Sequence, residues 1–259
     1  VRRLGITKCR RYTRVSGVSP DIDIVPFNHD IDTLERAVKE RVFFVKNIPE
    51  KTGLISEFAP PPKPLPNAFG RLDETAGLLG RYLPSTAPWT HQQFVDSYSG
   101  RKKVVYQKAL DEIRQGLSNL ARDAEVKVFI KYEKTDRTSK KDPVPRVISP
   151  RDPKFNVRLG RYLKPLEEKI FRSLGKLFGH QTVMKGLDME GVALKLREKW
   201  EMFSDPVAVG LDASRFDQHV SREALEFEHQ VYLHCFKRKK HRDRLAKLLE
   251  LQLVNKCSG

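Results

Sequence analysis

Between Tyr106 and Ile130 the apolar residues change period, and this change constrains the fold more than any other feature of the chain. Tyr106, Ala109, Leu110, Ile113, Leu117 and Leu120 recur at helical steps, which places them on one face of a helix. Val126, Val128 and Ile130 then alternate with Lys127, Phe129 and Lys131, the two-residue step of a strand. A second strand is predicted around Val144 to Ser149, after a polar loop from Glu133 to Asp142. Helices are predicted over residues 155–178, 188–203, 221–236 and 242–254, and a short apolar strand over Val207 to Leu211. The order is mixed and strands are few, so an α+β architecture is expected rather than a regular βαβ series. No internal repeat is present.

Local signals refine this outline. Asp32-Thr33-Leu34-Glu35 reads as a capping box opening a helix with apolar positions at Leu34, Val38, Val42 and Val45. Thr90-His91-Gln92-Gln93 reads as another. Pro60 to Pro66, with five prolines in seven residues, must be extended and serves as a stiff connector or, less simply, as a polyproline ligand. Pro165 fits the first turn of a new helix better than a helix interior, so 155–178 is expected in two pieces.

Charge narrows the partners. The 259 residues carry a formal net charge of +16 and a mean hydropathy of -0.53, which fits a protein that meets a polyanion. The surplus is blocky. Lys127 to Lys164 holds twelve Lys and Arg against four Asp and Glu, Val1 to Arg14 holds six basic residues, and Lys237 to Lys247 holds seven against one acid. Folding would gather these blocks along one channel. Cys9, Cys235 and Cys257 are odd in number and widely spaced, which argues against a disulfide framework or zinc site and for a reducing compartment. No apolar run approaches the roughly 18 residues of a membrane span, and no signal peptide is visible. Starting at Val1 and stopping at Ser258-Gly259 after a helical pattern, the chain reads as a segment cut from a longer protein.

Two segments carry chemistry. In Val207-Ala208-Val209-Gly210-Leu211-Asp212-Ala213-Ser214-Arg215-Phe216-Asp217 a short strand delivers one carboxylate at its end and a second five residues on. That placement suits a Mg²⁺ ligand in phosphate chemistry, although Asp also caps helices that follow strands. In the basic arm from Lys131 to Asp152, a Lys-rich loop joins two strands, and Arg146 shares a strand face with Ile148. A guanidinium recognises phosphate oxygens in a planar, bidentate way, which suits a triphosphate. The same arm also reads as a solvated loop touching nucleic-acid backbone without selectivity.

Together these segments resemble motifs F and A of viral RNA-dependent RNA polymerases, in particular those of the tombusvirus-like group of plant positive-strand RNA viruses. The resemblance rests on Pro145-Arg146-Val147-Ile148-Ser149-Pro150-Arg151-Asp152-Pro153, on Asn156-Val157 and Gly160-Arg161-Tyr162-Leu163, and on Asp212 with Asp217. Leu34-Glu35-Arg36-Ala37-Val38 with Arg41-Val42 resembles the group's amino-terminal region. The resemblance implies a right-hand polymerase fold fragment, fingers plus first palm segment: residues 1–60 an N-terminal extension or fingertip, 61–180 fingers with the arm at 127–164, 181–221 the first palm segment, and 222–259 a return to the fingers.

It further implies template-directed transfer of nucleoside triphosphates to the 3′ end of RNA by a two-metal mechanism. Asp212 would bind both Mg²⁺ (or Mn²⁺) ions, joined by the backbone carbonyl of Ala213. Asp217 would sense the ribose of the incoming nucleotide. Reverse transcriptases resemble the motif but carry an aromatic at that place, so Asp217 favours RNA synthesis over DNA synthesis. Arg146 would contact the triphosphate, with Lys131, Lys134 and Lys140 as candidates lining the nucleotide tunnel. Lys127, Lys141, Arg151, Lys154 and Arg158 are the RNA-binding candidates, and Lys237 to Arg244 is either an RNA-facing surface or a solvated helix end.

The Gly-Asp-Asp of motif C is absent from these 259 residues, and Ser258-Gly259 is not credited as motif B. The segment alone is therefore expected to be inactive. RNA template and product and nucleoside triphosphates are the expected partners, with other viral replicase proteins and host factors. Such polymerases work in the host cytoplasm in membrane-associated replication complexes, anchored by regions outside this chain. The competing reading is a non-catalytic basic RNA-binding module of a viral replicase. A basic membrane-surface protein has little support, since no long amphipathic basic helix stands out.

Overall fold

A computed structural model of the chain describes residues 24–46, 58–139 and 142–259. The basic block at Val1 to Arg14, Cys9, Lys140 and Lys141 lie outside the described residues. The elements run β1 (Ile24–Pro26), α1 (Ile31–Val38) continued by a π-helical turn (Lys39–Phe43), β2 (Val45–Lys46), β3 (Phe58–Ala59), and α2 (Asp73–Tyr82). Next come α3 (His91–Asp96), α4 (Gly100–Arg114), α5 (Leu120–Asp123), β4 (Val126–Lys127), β5 (Phe129–Ile130), β6 (Lys134–Asp136) and β7 (Val147–Ile148). The chain finishes with α6 (Pro153–Phe178), α7 (Met189–Trp200), a 3₁₀ turn (Phe216–His219), α8 (Arg222–His234), α9 (Lys239–Glu250) and β8 (Cys257–Ser258). The described residues are thus helix-rich with short strands, paired two by two: β1–β6, β2–β3 and β5–β7 antiparallel, β4–β8 parallel.

The long helix α6 organises the packing. Asp152 caps it by accepting from the Lys154 N–H, Pro153 sits in its first turn, and Gly179 ends it at φ 75°. Phe155, Leu159, Tyr162 and Leu166 are spaced so that one face meets Cys235, Phe236, Leu245, Leu248 and Leu249. Val157 points to a second cluster with Phe94 and Val95 of α3 and Ala109 and Leu110 of α4. Burying a side chain of this size contributes about 1.5–3 kcal/mol, so a helix buried on two faces outweighs a local defect. That defect is Pro165. The expected break into two helices does not occur: α6 is continuous through Pro165. Pro165 has no N–H to offer the carbonyl of Arg161, one turn earlier. That carbonyl instead accepts the Trp89 N–H at 2.9 Å, so the polar group is satisfied from outside the helix.

Other expectations shift for identifiable reasons. Helix α1 is capped by Asp30, whose side chain accepts the Thr33 N–H at 2.8 Å, two residues before the expected box. Val45 belongs to β2. The box at Thr90 forms as read, with both reciprocal bonds present. Helix α4 stops at Arg114 because Gly116 turns left-handed at φ 76°, leaving Leu117 64% exposed and Leu120 in α5. The strand expected at 126–130 divides into β4 and β5, which pair with different partners, yet its alternation holds: Val126 and Ile130 are buried and Phe129 is exposed. The loop at 133–142 contains β6, paired to β1 in a register that places Val25 opposite Thr135.

The largest departure is Val207 to Leu211. This segment forms no strand, and Val207, Val209 and Leu211 are 79%, 75% and 92% exposed. An apolar strand holds only when its edge is hydrogen-bonded and a face is covered, and no described strand pairs with it.

Candidate nucleotide site between the basic arm and the aspartate turn

The arm is built from β5 and β7, with Phe129 opposite Ile148 and Ile130 opposite Val147. The Lys131 N–H donates to the Arg146 carbonyl at 2.8 Å, extending the ladder by one rung. Arg146 therefore leaves the pair where its side chain is exposed. Its guanidinium grips Glu133: Nε donates to the two carboxylate oxygens at 2.9 and 3.1 Å, and Nη2 donates to Oε2. Lys131 Nζ lies 3.3 Å from the same carboxylate. The Arg146 hydrogen bond, with that of Lys131, holds the Glu133 carboxyl below its ordinary range, and the same bond raises Arg146.

The aspartate turn is anchored to the amino-terminal helix. Arg215, a non-glycine residue at φ 55°, opens the 3₁₀ turn that contains Asp217. Arg215 Nη1 donates to the Glu40 carbonyl at 2.7 Å, and Gln218 Nε2 donates to the Phe44 carbonyl at 2.7 Å. These contacts account for the left-handed residue: the surroundings hold the backbone in a costly conformation. Glu40 itself is buried and pairs with Arg36 at 2.9 Å, and Arg36 reaches across to Asp142 at 2.7 Å. One set of polar contacts thus ties the arm, α1 with its π-helical turn, and the aspartate turn.

Between them lies a cleft of about 850 Å³ lined by Arg41, Glu133, Lys134, Asp136, Asp142, Arg146, Asp212 and Arg215, among others. Arg41 donates from Nη2 to the Val144 carbonyl at 2.9 Å, while its Nε is buried with no hydrogen-bond partner. Burial pulls Arg41 below its usual value, and Arg215 and Arg146 push the same way against Asp217 and Glu133. The formal charges named on the lining balance, so charge alone does not select an anion. A guanidinium presents paired donors of the kind that match phosphate oxygens, and that of Arg146 spends them on Glu133 here.

Of the sequence candidates, the fold brings Arg146, Lys134 and Asp212 to this cleft, with Lys131 held at the Glu133 carboxylate. Asp217 does not line it, but its charge acts on both Arg41 and Arg146. Asp212, Ala213 and Asp217 are all exposed. A small divalent ion is held by one or two carboxylates plus waters and phosphates, and Asp212 fits as one such ligand. Among the described residues no cluster of three His, Cys, Asp or Glu side chains forms.

The remaining basic candidates sit elsewhere. Lys127 is exposed on β4. Arg151 donates to the Ala124 carbonyl at 3.0 Å and to Asn255, and lies over the Phe155 ring. Lys154 faces Glu112 at 3.1 Å, Asp152 at 3.4 Å and Asp123 at 3.7 Å. Arg158 donates to Ser118 Oγ at 3.0 Å. Arg151 and Lys154 thus have internal partners that tie elements together, whereas Arg158 is oriented by a hydroxyl and faces no carboxylate among the described residues. Sequence reading missed Arg41, Glu133 and Arg215 as cleft residues. Arg215 lies inside the aspartate motif and Glu133 is an acid within a basic arm, which were the available signals.

A family model described as viral RNA dependent RNA polymerase matches residues 1–259. The chain is 62% identical to the RNA-directed RNA polymerase of oat chlorotic stunt virus (isolate United Kingdom), covering 100% of this chain and 34% of that protein. It is 43% identical to the RNA-directed RNA polymerase of tobacco necrosis virus (strain A), over 96% of this chain and 33% of the relative. For the corresponding protein of turnip crinkle virus the identity is 38%, over 97% and 31%. The chain therefore spans about a third of the length of the curated relatives it matches.

Proposed function

The chain belongs to the viral RNA dependent RNA polymerase family, and from that premise we propose that it carries the part of such an enzyme that receives the incoming nucleoside triphosphate and presents a metal-binding carboxylate. The reaction is template-directed addition of nucleotides to the 3′ end of RNA during viral genome replication. The observation that carries this reading is the shared cleft, where Arg146 of the arm and Asp212 of the distant turn line one space.

In this reading Arg146 exchanges the Glu133 carboxylate for phosphate oxygens, keeping the same bidentate geometry. Arg41 and Arg215 add fixed positive charge, already desolvated in the case of Arg41, so little reorganisation accompanies binding. Lys131, Lys134 and Lys140 flank the path of the nucleotide. Asp212, with the Ala213 carbonyl, would hold divalent ions, Mg²⁺ or Mn²⁺, which supply activation of the primer hydroxyl and charge neutralisation on the leaving pyrophosphate. Asp217 takes part in sensing the ribose 2′-hydroxyl. Residues 61–180 then correspond to fingers and 181–221 to the first palm segment, where Val207 to Leu211 gains strand partners from further sequence. RNA, nucleoside triphosphates, other replicase proteins and host factors are the partners. No described helix is long and apolar enough to cross a membrane; membrane association in the host cytoplasm, through regions outside this chain, is part of the same proposal.

The test uses a polymerase of the relatives' length that contains this segment. Asp212→Ala is expected to abolish nucleotide addition in a primer-extension assay while RNA affinity survives. The competing reading, a non-catalytic RNA-binding module, draws on the exposed, unpaired Val207 to Leu211. It predicts the reverse, and synthesis retained in the variant would decide for it.

A further inference from the structure

The cations of this chain are unevenly neutralised, and several without carboxylate partners converge. Arg36, Arg146 and Lys154 each face a carboxylate. Arg158 and Arg161 of α6 and Arg244 and Lys247 of α9 make no ion pair among the described residues. Yet these four line a single pocket of about 270 Å³, together with His91 of α3, and no Asp or Glu contributes to the lining. Two of the three basic blocks of the sequence meet here.

The pocket is built rather than incidental. Arg161 Nε donates to the Trp89 carbonyl at 2.6 Å while the Trp89 N–H donates back to the Arg161 carbonyl at 2.9 Å, which fixes the guanidinium. Arg158 is oriented by Ser118, but its Nε is buried with no hydrogen-bond partner, as is Nδ1 of the nearby His241. A buried donor without a partner, such as Arg158 Nε–H, is uncommon and calls for an acceptor. Two histidines report the local field. His91 is pushed down to about 4 by burial and then by Arg161, Arg158 and Arg114. His241 is lowered by burial and then by Arg161, Arg238, Arg244 and Lys240. No acid appears among either set of causes. Leu120, Tyr162 and Leu248 contribute apolar surface to the same lining.

We infer that this pocket takes one nucleotide of single-stranded RNA, its phosphate against Arg158, Arg161, Arg244 and Lys247 and its sugar or base over the apolar surface. Guanidinium forks match phosphate oxygens, and an apolar floor beside them suits a nucleotide better than a bare inorganic anion. A free nucleotide offers the same chemistry, and the experiment separates the two sources. The pocket shares no lining residue with the Arg146–Asp212 cleft, so its test stands apart from the proposed catalytic role.

Arg244 and Lys247 are exposed, so Arg244→Glu with Lys247→Glu is expected to fold. Arg101→Glu with Lys176→Glu, also at exposed positions, makes the same change in net charge elsewhere. By fluorescence anisotropy in roughly 150 mM salt, the pocket variant should bind single-stranded RNA about tenfold more weakly, and the control less than about threefold. Equal weakening of the two variants overturns the site, because only overall charge would then matter. In NMR titrations of the parent chain, the His91 ring signals should shift with an RNA oligonucleotide and stay still with adenosine monophosphate at equal concentration. Shifts with the mononucleotide alone overturn the RNA assignment, and no shift with either ligand overturns the pocket.

Discussion

Replacing Gly160 with Ala sets two opposed effects against each other. In a helix interior Ala is favoured over Gly by about 1 kcal/mol, and Gly160 lies inside α6. A Cβ at that position would overlap Cε2 of Phe94 and come 2.6 Å from its Cζ, well inside van der Waals contact. Phe94 is 2% exposed, with the rings of Tyr98 and Tyr106 centred 5.2 and 5.1 Å away. Overpacking of this kind costs about 1–3 kcal/mol. A cavity of about 720 Å³ opens beside these rings, so Phe94 relaxes in part. With a clash in the upper part of that range and the propensity gain set against it, the net loss is about 1–2 kcal/mol, or a fall in Tm of about 2–8 °C. Urea denaturation and thermal melting measure it directly. Phe94→Leu trims the opposing ring, so the double variant should lose about 1 kcal/mol less than the two single losses combined. A neutral or stabilised Gly160→Ala, or strict additivity with Phe94→Leu, would refute the close approach of α3 to α6.

Two further outcomes are expected. In the full polymerase, Asp217→Ala should lower the preference for ribonucleotides over deoxyribonucleotides by about an order of magnitude or more, read from single-nucleotide incorporation; an unchanged ratio removes Asp217 from sugar selection. His91 makes the fold acid-sensitive: its proton affinity is depressed to about 4 by burial and neighbouring arginines, so below pH 6.5 the unfolded chain takes a proton that the folded chain refuses. Stability should fall between pH 7 and pH 4.5 on this account, and His91→Gln should flatten that part of the denaturation profile.

Much of the local structure was legible because its causes are local. The Thr90 capping box, the helices at 189–200 and 222–234, and the antiparallel arm carrying Arg146 all follow from spacing and side-chain chemistry within a few residues. The candidate site was half legible. Asp212, Arg146 and Lys134 could be named from residue type and motif, and the cleft does bring them together. Arg41 could not, since it contributes through the Val144 carbonyl, a partner 103 residues away; Arg215 lay within the motif, but its anchor, the Glu40 carbonyl 175 residues away, did not.

The sequence by itself determined that most of the helices exist, where some of them are capped, and which charges are available for phosphate and metal chemistry. Tertiary structure alone decided whether those tendencies are realised. A proline stays inside a helix because Trp89 supplies the missing hydrogen bond and two packed faces outweigh the defect. An apolar strand at Val207 to Leu211 does not form because no described neighbour pairs its edge or covers its side chains. The difference is physical: caps and amphipathic faces are settled within a turn or two of chain, whereas strand pairing, ion pairing and desolvation depend on partners that only the fold brings near.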